Sequence, residues 1–74
     1  MLYNIVKGGD VVTLGEQIIM FRAKNNLSQK QFGNLCKLDR AYISGIENGK
    51  VEPGRLARLK IEFVLNGEKI NNEV

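Results

Sequence analysis

The chain has no histidine, no tryptophan, one cysteine and one proline among its 74 residues. One cysteine cannot close an internal disulfide. Without histidine or a second thiol, zinc-finger ligand sets and Cys/His nucleophilic sites are excluded. No paired-carboxylate, nucleophile–base or phosphate-loop constellation stands out either, so the sequence predicts no enzyme, no metal and no cofactor. Aromatics make up 7% of the chain, too few for the exposed stacking sheet by which many proteins hold RNA. The longest wholly apolar run, Ile18 to Phe21, spans four residues, against the roughly 20 needed to cross a bilayer. No basic stretch followed by a long apolar one opens the chain, and the expected setting is cytoplasmic, away from membranes.

What is present describes one small soluble domain. The hydrophobic share of 43% and the charged share of 26% are ordinary for a globular protein. A chain of this length buries only about 60% of its unfolded surface, which leaves a small core in need of support from a partner. Eleven basic and eight acidic residues give a net charge of +3. The charge is unevenly placed: Arg22 to Lys60 carries nine basic and three acidic residues, or +6, while the segments before and after it sum to −1 and −2. A basic middle between mildly acidic ends suits an anionic partner, of which nucleic acid is the commonest.

Residues 1–13 read as an N-terminal arm. Leu2 to Val6 is rich in β-type residues, Gly8-Gly9 can turn the chain, and Val11-Val12 can pair back. Thr13 with Glu16 forms a capping box, and Leu14, Ile18 and Phe21 recur at helical spacing, which predicts a first helix over about 14–25, closed by Asn25-Asn26. Ser28 with Gln31 is a second capping box and opens a helix over about 29–36, with Phe32, Leu35 and Cys36 facing inward. Asp39 is the N-cap of a third helix, about 40–48, with Ile43 and Ile46 as its buried stripe and Gly49 as its terminator. Glu52-Pro53-Gly54 is read as a turn. Leu56, Leu59, Ile61, Phe63, Val64 and Leu65 then supply a fourth helix, about 55–65. Asn66-Gly67 either caps that helix, the preferred reading, or turns a hairpin toward Glu68–Ile70. The domain proper covers 14–66, and 67–74 form a tail that can contribute to a dimer contact.

Two short helices joined by three or four residues make a helix-turn-helix, whose second helix enters the major groove. Counting Gln29 as position one, positions four and five must be apolar then very small, and they are Phe32 and Gly33. Positions eight and ten seal the bend with Cys36 and Leu38, and positions fifteen and eighteen anchor the second helix with Ile43 and Ile46. All six demands are met.

The stretch Leu27-Ser28-Gln29-Lys30-Gln31-Phe32-Gly33, followed by Tyr42-Ile43-Ser44-Gly45-Ile46-Glu47-Asn48-Gly49-Lys50, resembles the Cro/C1 (XRE) family of bacterial and phage DNA-binding regulators. The likeness runs from about Leu14 to Leu65. It implies an all-α, lambda-repressor-like domain of four to five helices, with short β segments at the chain ends as an addition. Leu38 to Glu47 resembles in particular the recognition helix of restriction–modification controller proteins, and the outer segments are similar to those of HipB-like antitoxins. In one place the sequence departs from the family: position nine, usually glycine, is Lys37. A non-glycine residue in the left-handed region costs roughly 1 kcal/mol, enough to alter the tilt of the third helix but not its identity.

A wheel at 100° per residue, with the buried direction between Ile43 and Ile46, leaves Ala41, Gly45 and Asn48 pointing the opposite way, flanked by Arg40 and Ser44. Arg40 can grip a guanine bidentately, Ala41 can meet a thymine methyl, and Ser44 can bond a base or a phosphate. Gly45, unfavourable in mid-helix, suggests close approach to DNA, with close packing on the second helix as the other reading. Gln29 and the free N–H groups of its helix suit a phosphate. Tyr42 is either half-core with its hydroxyl on a phosphate or a base reader. The resemblance implies backbone contacts for Lys50 and Arg55, and a structural ion pair between Arg22 and Glu47 that orients the third helix. Cys36 reads as a small core residue.

The expected function is a sequence-specific transcriptional regulator, a repressor or autoregulator, binding a palindromic double-stranded DNA operator as a homodimer. The alternative is an antitoxin-type interaction module that binds a toxin partner as well as its operator.

Overall fold

Side-chain caps set where each of the first three helices begins. In the computed structural model, which describes residues 6, 7 and 10–67, α1 spans Leu14–Asn25 and α2 spans Gln29–Cys36. Both open on reciprocal capping boxes. The Thr13 hydroxyl accepts from the Glu16 N–H at 3.0 Å while the Glu16 carboxylate accepts from the Thr13 N–H at 2.9 Å. Ser28 and Gln31 repeat the exchange at 2.9 and 2.8 Å. The third helix, α3, spans Arg40–Glu47 and is capped by the Asp39 carboxylate, which accepts from the Ala41 N–H at 2.8 Å. The last, α4, spans Arg55–Leu65 and starts at Gly54 without a side-chain cap. These four spans follow the local sequence signals to within a residue. No helix among the described residues is long and apolar enough to cross a membrane.

Three of the helices end in the same way. After α1, Asn26 turns left-handed (φ 58°) and the Leu27 N–H reaches back to the Arg22 carbonyl at 2.9 Å. After α2, Lys37 does the same (φ 62°), with the Leu38 N–H on the Gly33 carbonyl at 2.8 Å. After α3, Gly49 takes φ 77° and the Lys50 N–H bonds the Gly45 carbonyl at 2.8 Å. This closure satisfies carbonyls that a helix end leaves bare. Lys37 therefore holds the left-handed conformation that glycine adopts most easily, and the turn from α2 to α3 is three residues long.

Upstream of α1, strand β1 (Val6–Lys7) pairs antiparallel with β2 (Asp10–Val11), Val6 opposite Val11 and Lys7 opposite Asp10. The pairing falls one residue earlier on the second strand than Val11-Val12 suggested. Leu2 to Ile5, and the Glu68–Ile70 limb considered for a C-terminal hairpin, lie outside the described residues. At the end of α4, Asn66 serves as the cap, its N–H on the Glu62 carbonyl at 3.0 Å.

The core draws on all four helices: Ile18 from α1, Phe32 and Cys36 from α2, Ile43 and Ile46 from α3, and Ile61 and Val64 from α4. Phe32 is fully buried and meets Phe21 edge-on, with ring centroids 5.7 Å apart, a favoured arrangement for aromatic pairs. Helix α3 lies against both α1 and α2, and α4 packs mainly on α2. Two glycines permit these approaches. A Cβ on Gly33 would stand 2.6 Å from the Leu38 carbonyl oxygen, and one on Gly15 would stand 2.5 Å from that of Ile46.

Some large apolar residues lie outside, among them Leu35, which the helical spacing turned inward. Leu35 is 53% exposed, so α2 buries Phe32 and Cys36 without it. On α4, Leu56, Leu59 and Phe63 are 66, 52 and 56% exposed, and only Ile61 and Val64 are buried. The reason is geometric. Apolar residues occur almost all around α4, and only the stripe turned toward α2 and α1 meets other helices.

Candidate nucleic-acid interface

Ile43 and Ile46 fix α3 to the core, and the opposite surface of the helix faces outward. Arg40, Ala41 and Asn48 are exposed there, while Ser44 and Gly45 are half-buried at its margin. Arg40 stands in the first turn, and its guanidinium makes no hydrogen bond among the described residues. Asn48 donates from Nδ2 to the Ser44 hydroxyl at 3.4 Å, which ties the far end of the face together. The surface is thus low and small along its length, with one long cationic side chain at its start. Such a relief fits against base edges in a groove and offers donors and a methyl to read them.

The orientation of α3 is held by an ionic cluster. Glu47 accepts from Arg22 Nε at 2.8 Å through Oε2 and from Arg22 Nη2 at 2.9 Å through Oε1. Gln29 Nε2 adds a third bond to Oε1 at 3.0 Å, and Arg22 Nη1 donates to the Leu27 carbonyl at 3.2 Å. The Glu47 side chain is only 5% exposed and that of Arg22 is 21% exposed. Hydrogen bonding to Glu47 holds the Arg22 guanidinium above its ordinary pKa, more than desolvation lowers it. One carboxylate at the end of α3 therefore binds α1 through Arg22 and the start of α2 through Gln29. The family resemblance anticipates the Arg22–Glu47 pair but not Gln29 as its third member. That residue, read only as a phosphate ligand, spends an amide proton on Glu47 and keeps its amide oxygen outside these bonds.

Three further residues have structural partners that the sequence did not disclose. A Cβ on Gly45 would run into the Val51 side chain, so packing against the loop after α3 accounts for the glycine. Close approach to DNA is not needed to explain it, and the packing partner is Val51 rather than α2. The Tyr42 hydroxyl accepts the Gly54 N–H at 3.3 Å, which joins α3 to the start of α4, while its ring packs beside the core. Arg58 lies between Glu62 at 3.8 Å and Glu52 at 3.9 Å; a small residue at position 45 and an i,i+4 Arg–Glu spacing were the only signals available. Lys50 and Arg55 are both exposed, on either side of the loop that joins α3 to α4.

Buried in the core, the Cys36 thiol is pushed up to about 11 by desolvation. Its position matches a packing residue. A thiol that stays protonated at neutral pH is a poor nucleophile.

A family model described as a helix-turn-helix matches residues 18–57, just over half of the chain. No curated protein and no solved structure matches it.

Proposed function

The chain belongs to the helix-turn-helix family of the Cro/C1 (XRE) type, and from that membership we propose that it is a sequence-specific repressor or autoregulator acting on a palindromic operator. In this reading it binds as a homodimer, with α3 of each protomer in the major groove and half-sites about one helical turn, near 34 Å, apart. The observation that carries the proposal is the outward face of α3 opposite Ile43 and Ile46, aimed by the Arg22–Glu47–Gln29 cluster.

Each residue of the face has a role in this reading. Arg40 grips a guanine through O6 and N7, Ala41 meets a thymine methyl, and Ser44 and Asn48 bond bases or phosphates at the other end. Gln29, with the N-terminus of α2, sits on a phosphate, and Lys50 and Arg55 neutralise the backbone beyond α3. Tyr42 acts through its hold on the start of α4. Gly45 serves by letting Val51 pack, which keeps the end of α3 low. The likeness of Leu38–Glu47 to controller-protein recognition helices supports autoregulation.

Selection from a random double-stranded DNA library tests this, with the affinity of the winner titrated against salt. A palindromic winner, with log K falling steeply against log salt, is expected for a dimer that neutralises several phosphates. A folded sample that enriches no sequence would overturn the regulator reading and leave the antitoxin-type interaction module, in which a toxin partner is the main ligand, as the better account.

A further inference from the structure

Helix α4 turns an apolar stripe to solvent. Leu56, Leu59 and Phe63 recur at helical spacing on the side away from Ile61 and Val64, and each is more than half exposed. Beside Leu56 lies an open groove of about 370 Å³, lined by Leu38, Asp39, Tyr42, Leu56, Ala57 and Lys60. The volume exceeds the roughly 150 Å³ in which a benzene ring is accommodated by an apolar cavity. One end of the helix thus carries a protruding aromatic ring, and the other carries an apolar recess. They are seven residues apart, about 10.5 Å along the axis.

We infer that this face is the docking surface for a second copy of the chain, with the two α4 helices antiparallel and Phe63 of each protomer seated in the groove beside Leu56 of the other. The inference rests on the homodimer reading above and names its surface. An isologous contact requires that whatever protrudes at one end of a patch find its recess at the other end of the same patch. The α4 stripe meets that condition. With the two-fold axis midway between positions 56 and 63, Leu59 of one protomer lies beside Leu59 of its partner, and Leu56 lies opposite Phe63.

The charges bordering the stripe agree. Arg55 and Glu62 fall on the same flank, at opposite ends of the helix. Antiparallel packing therefore brings the Arg55 end of each α4 toward the Glu62 end of the other, so each end of the contact is bordered by a cation and by a carboxylate that also lies 3.8 Å from its own Arg58. On the other flank Lys60 lies near the axis, where its long stem covers apolar surface and its ammonium turns to water. A parallel arrangement would set Phe63 against Phe63 and leave both grooves empty.

Sedimentation equilibrium on the full chain, with Phe63→Glu and Leu59→Cys beside the wild type, tests the inference. A wild-type dimer is expected, with its dissociation constant raised at least 100-fold by Phe63→Glu while the helical circular dichroism is unchanged. Leu59→Cys is expected to form a covalent dimer on mild oxidation. The wild type, whose one thiol at Cys36 is buried, and Met20→Cys, exposed on α1, are expected to form none. A wild type that stays monomeric at every concentration would overturn the homodimer reading together with the surface. A dimer that survives Phe63→Glu, or a Leu59→Cys protein that does not cross-link, would overturn the surface alone.

Discussion

Arg22→Ala should loosen the whole domain and not only its grip on DNA. The variant leaves the Glu47 carboxylate, whose side chain is 5% exposed, with the single Gln29 bond at 3.0 Å in place of three. Removing one partner of a buried ion pair costs roughly 3–5 kcal/mol. Arg22 itself is 21% exposed, and water entering the vacated space recovers part of that, so about 2–4 kcal/mol is the reasonable expectation. A domain of this size holds about 4–11 kcal/mol in all at the usual stability per residue. The loss is therefore a large fraction of the total, and at roughly 4–8 °C per kcal/mol the melting temperature should fall by about 8–32 °C. Thermal melts followed by circular dichroism read it directly. A double-mutant cycle with Glu47→Gln isolates the pair, because the two changes share one interaction and should be far from additive. Operator affinity should fall as well, since α3 loses its tie to α1. An Arg22→Ala protein that melts with the wild type would refute the view that this cluster fixes α3.

Arg40→Ala should weaken operator binding by roughly 1–3 kcal/mol and relax the preference at one base position with an unchanged melt; equal affinity and selectivity, measured by fluorescence anisotropy, would remove Arg40 from the reading face. Gly45→Ala should destabilise the fold by about 1–2 kcal/mol through overpacking on Val51, with the helical preference of alanine offsetting part of the strain. Val51→Ala in the same chain should restore much of that loss. A variant of normal stability that lost operator affinity would instead return Gly45 to the DNA surface. Lys37→Gly should raise the melting temperature by a few degrees, because relief of about 1–2 kcal/mol of left-handed strain outweighs about 0.4–1 kcal/mol of added freedom in the unfolded chain. Cys36 makes stability fall as pH rises from 9.0 toward 11: the unfolded thiol ionises first and the folded one near 11, so unfolding releases a proton across that window. Urea titrations at pH 8 and pH 10.5 should differ in that direction for the wild type and less for Cys36→Ala.

Where each of the first three helices begins and ends is decided within a few residues of the end itself, and this explains why the sequence located those points so well. Thr13, Ser28 and Asp39 cap by bonding N–H groups two or three residues ahead, and Asn26, Lys37 and Gly49 close by turning left-handed at one position. The spacing of Phe32, Gly33, Cys36, Ile43 and Ile46 is equally legible, since two helices that cross through a three-residue turn must bury those places. The outward residues of α3 follow as the complement of its buried stripe. These features, and the Arg22–Glu47 pair through family resemblance, were open to reading from the chain alone.

Burial on α4 was not, because periodicity cannot choose among apolar stripes when apolar residues occupy most of a helix. The approach of α2 and α1 selects Ile61 and Val64 and leaves Leu56, Leu59 and Phe63 in water. Leu35 is left outside for the same reason. Gln29 joins Glu47, and Val51 fills the space over Gly45, across loops that bring together residues 18 and six positions apart. Local sequence determined the elements and the turn, since capping and backbone conformation act over a few residues. The tertiary packing alone decided which faces meet, since that depends on the directions from which other helices arrive.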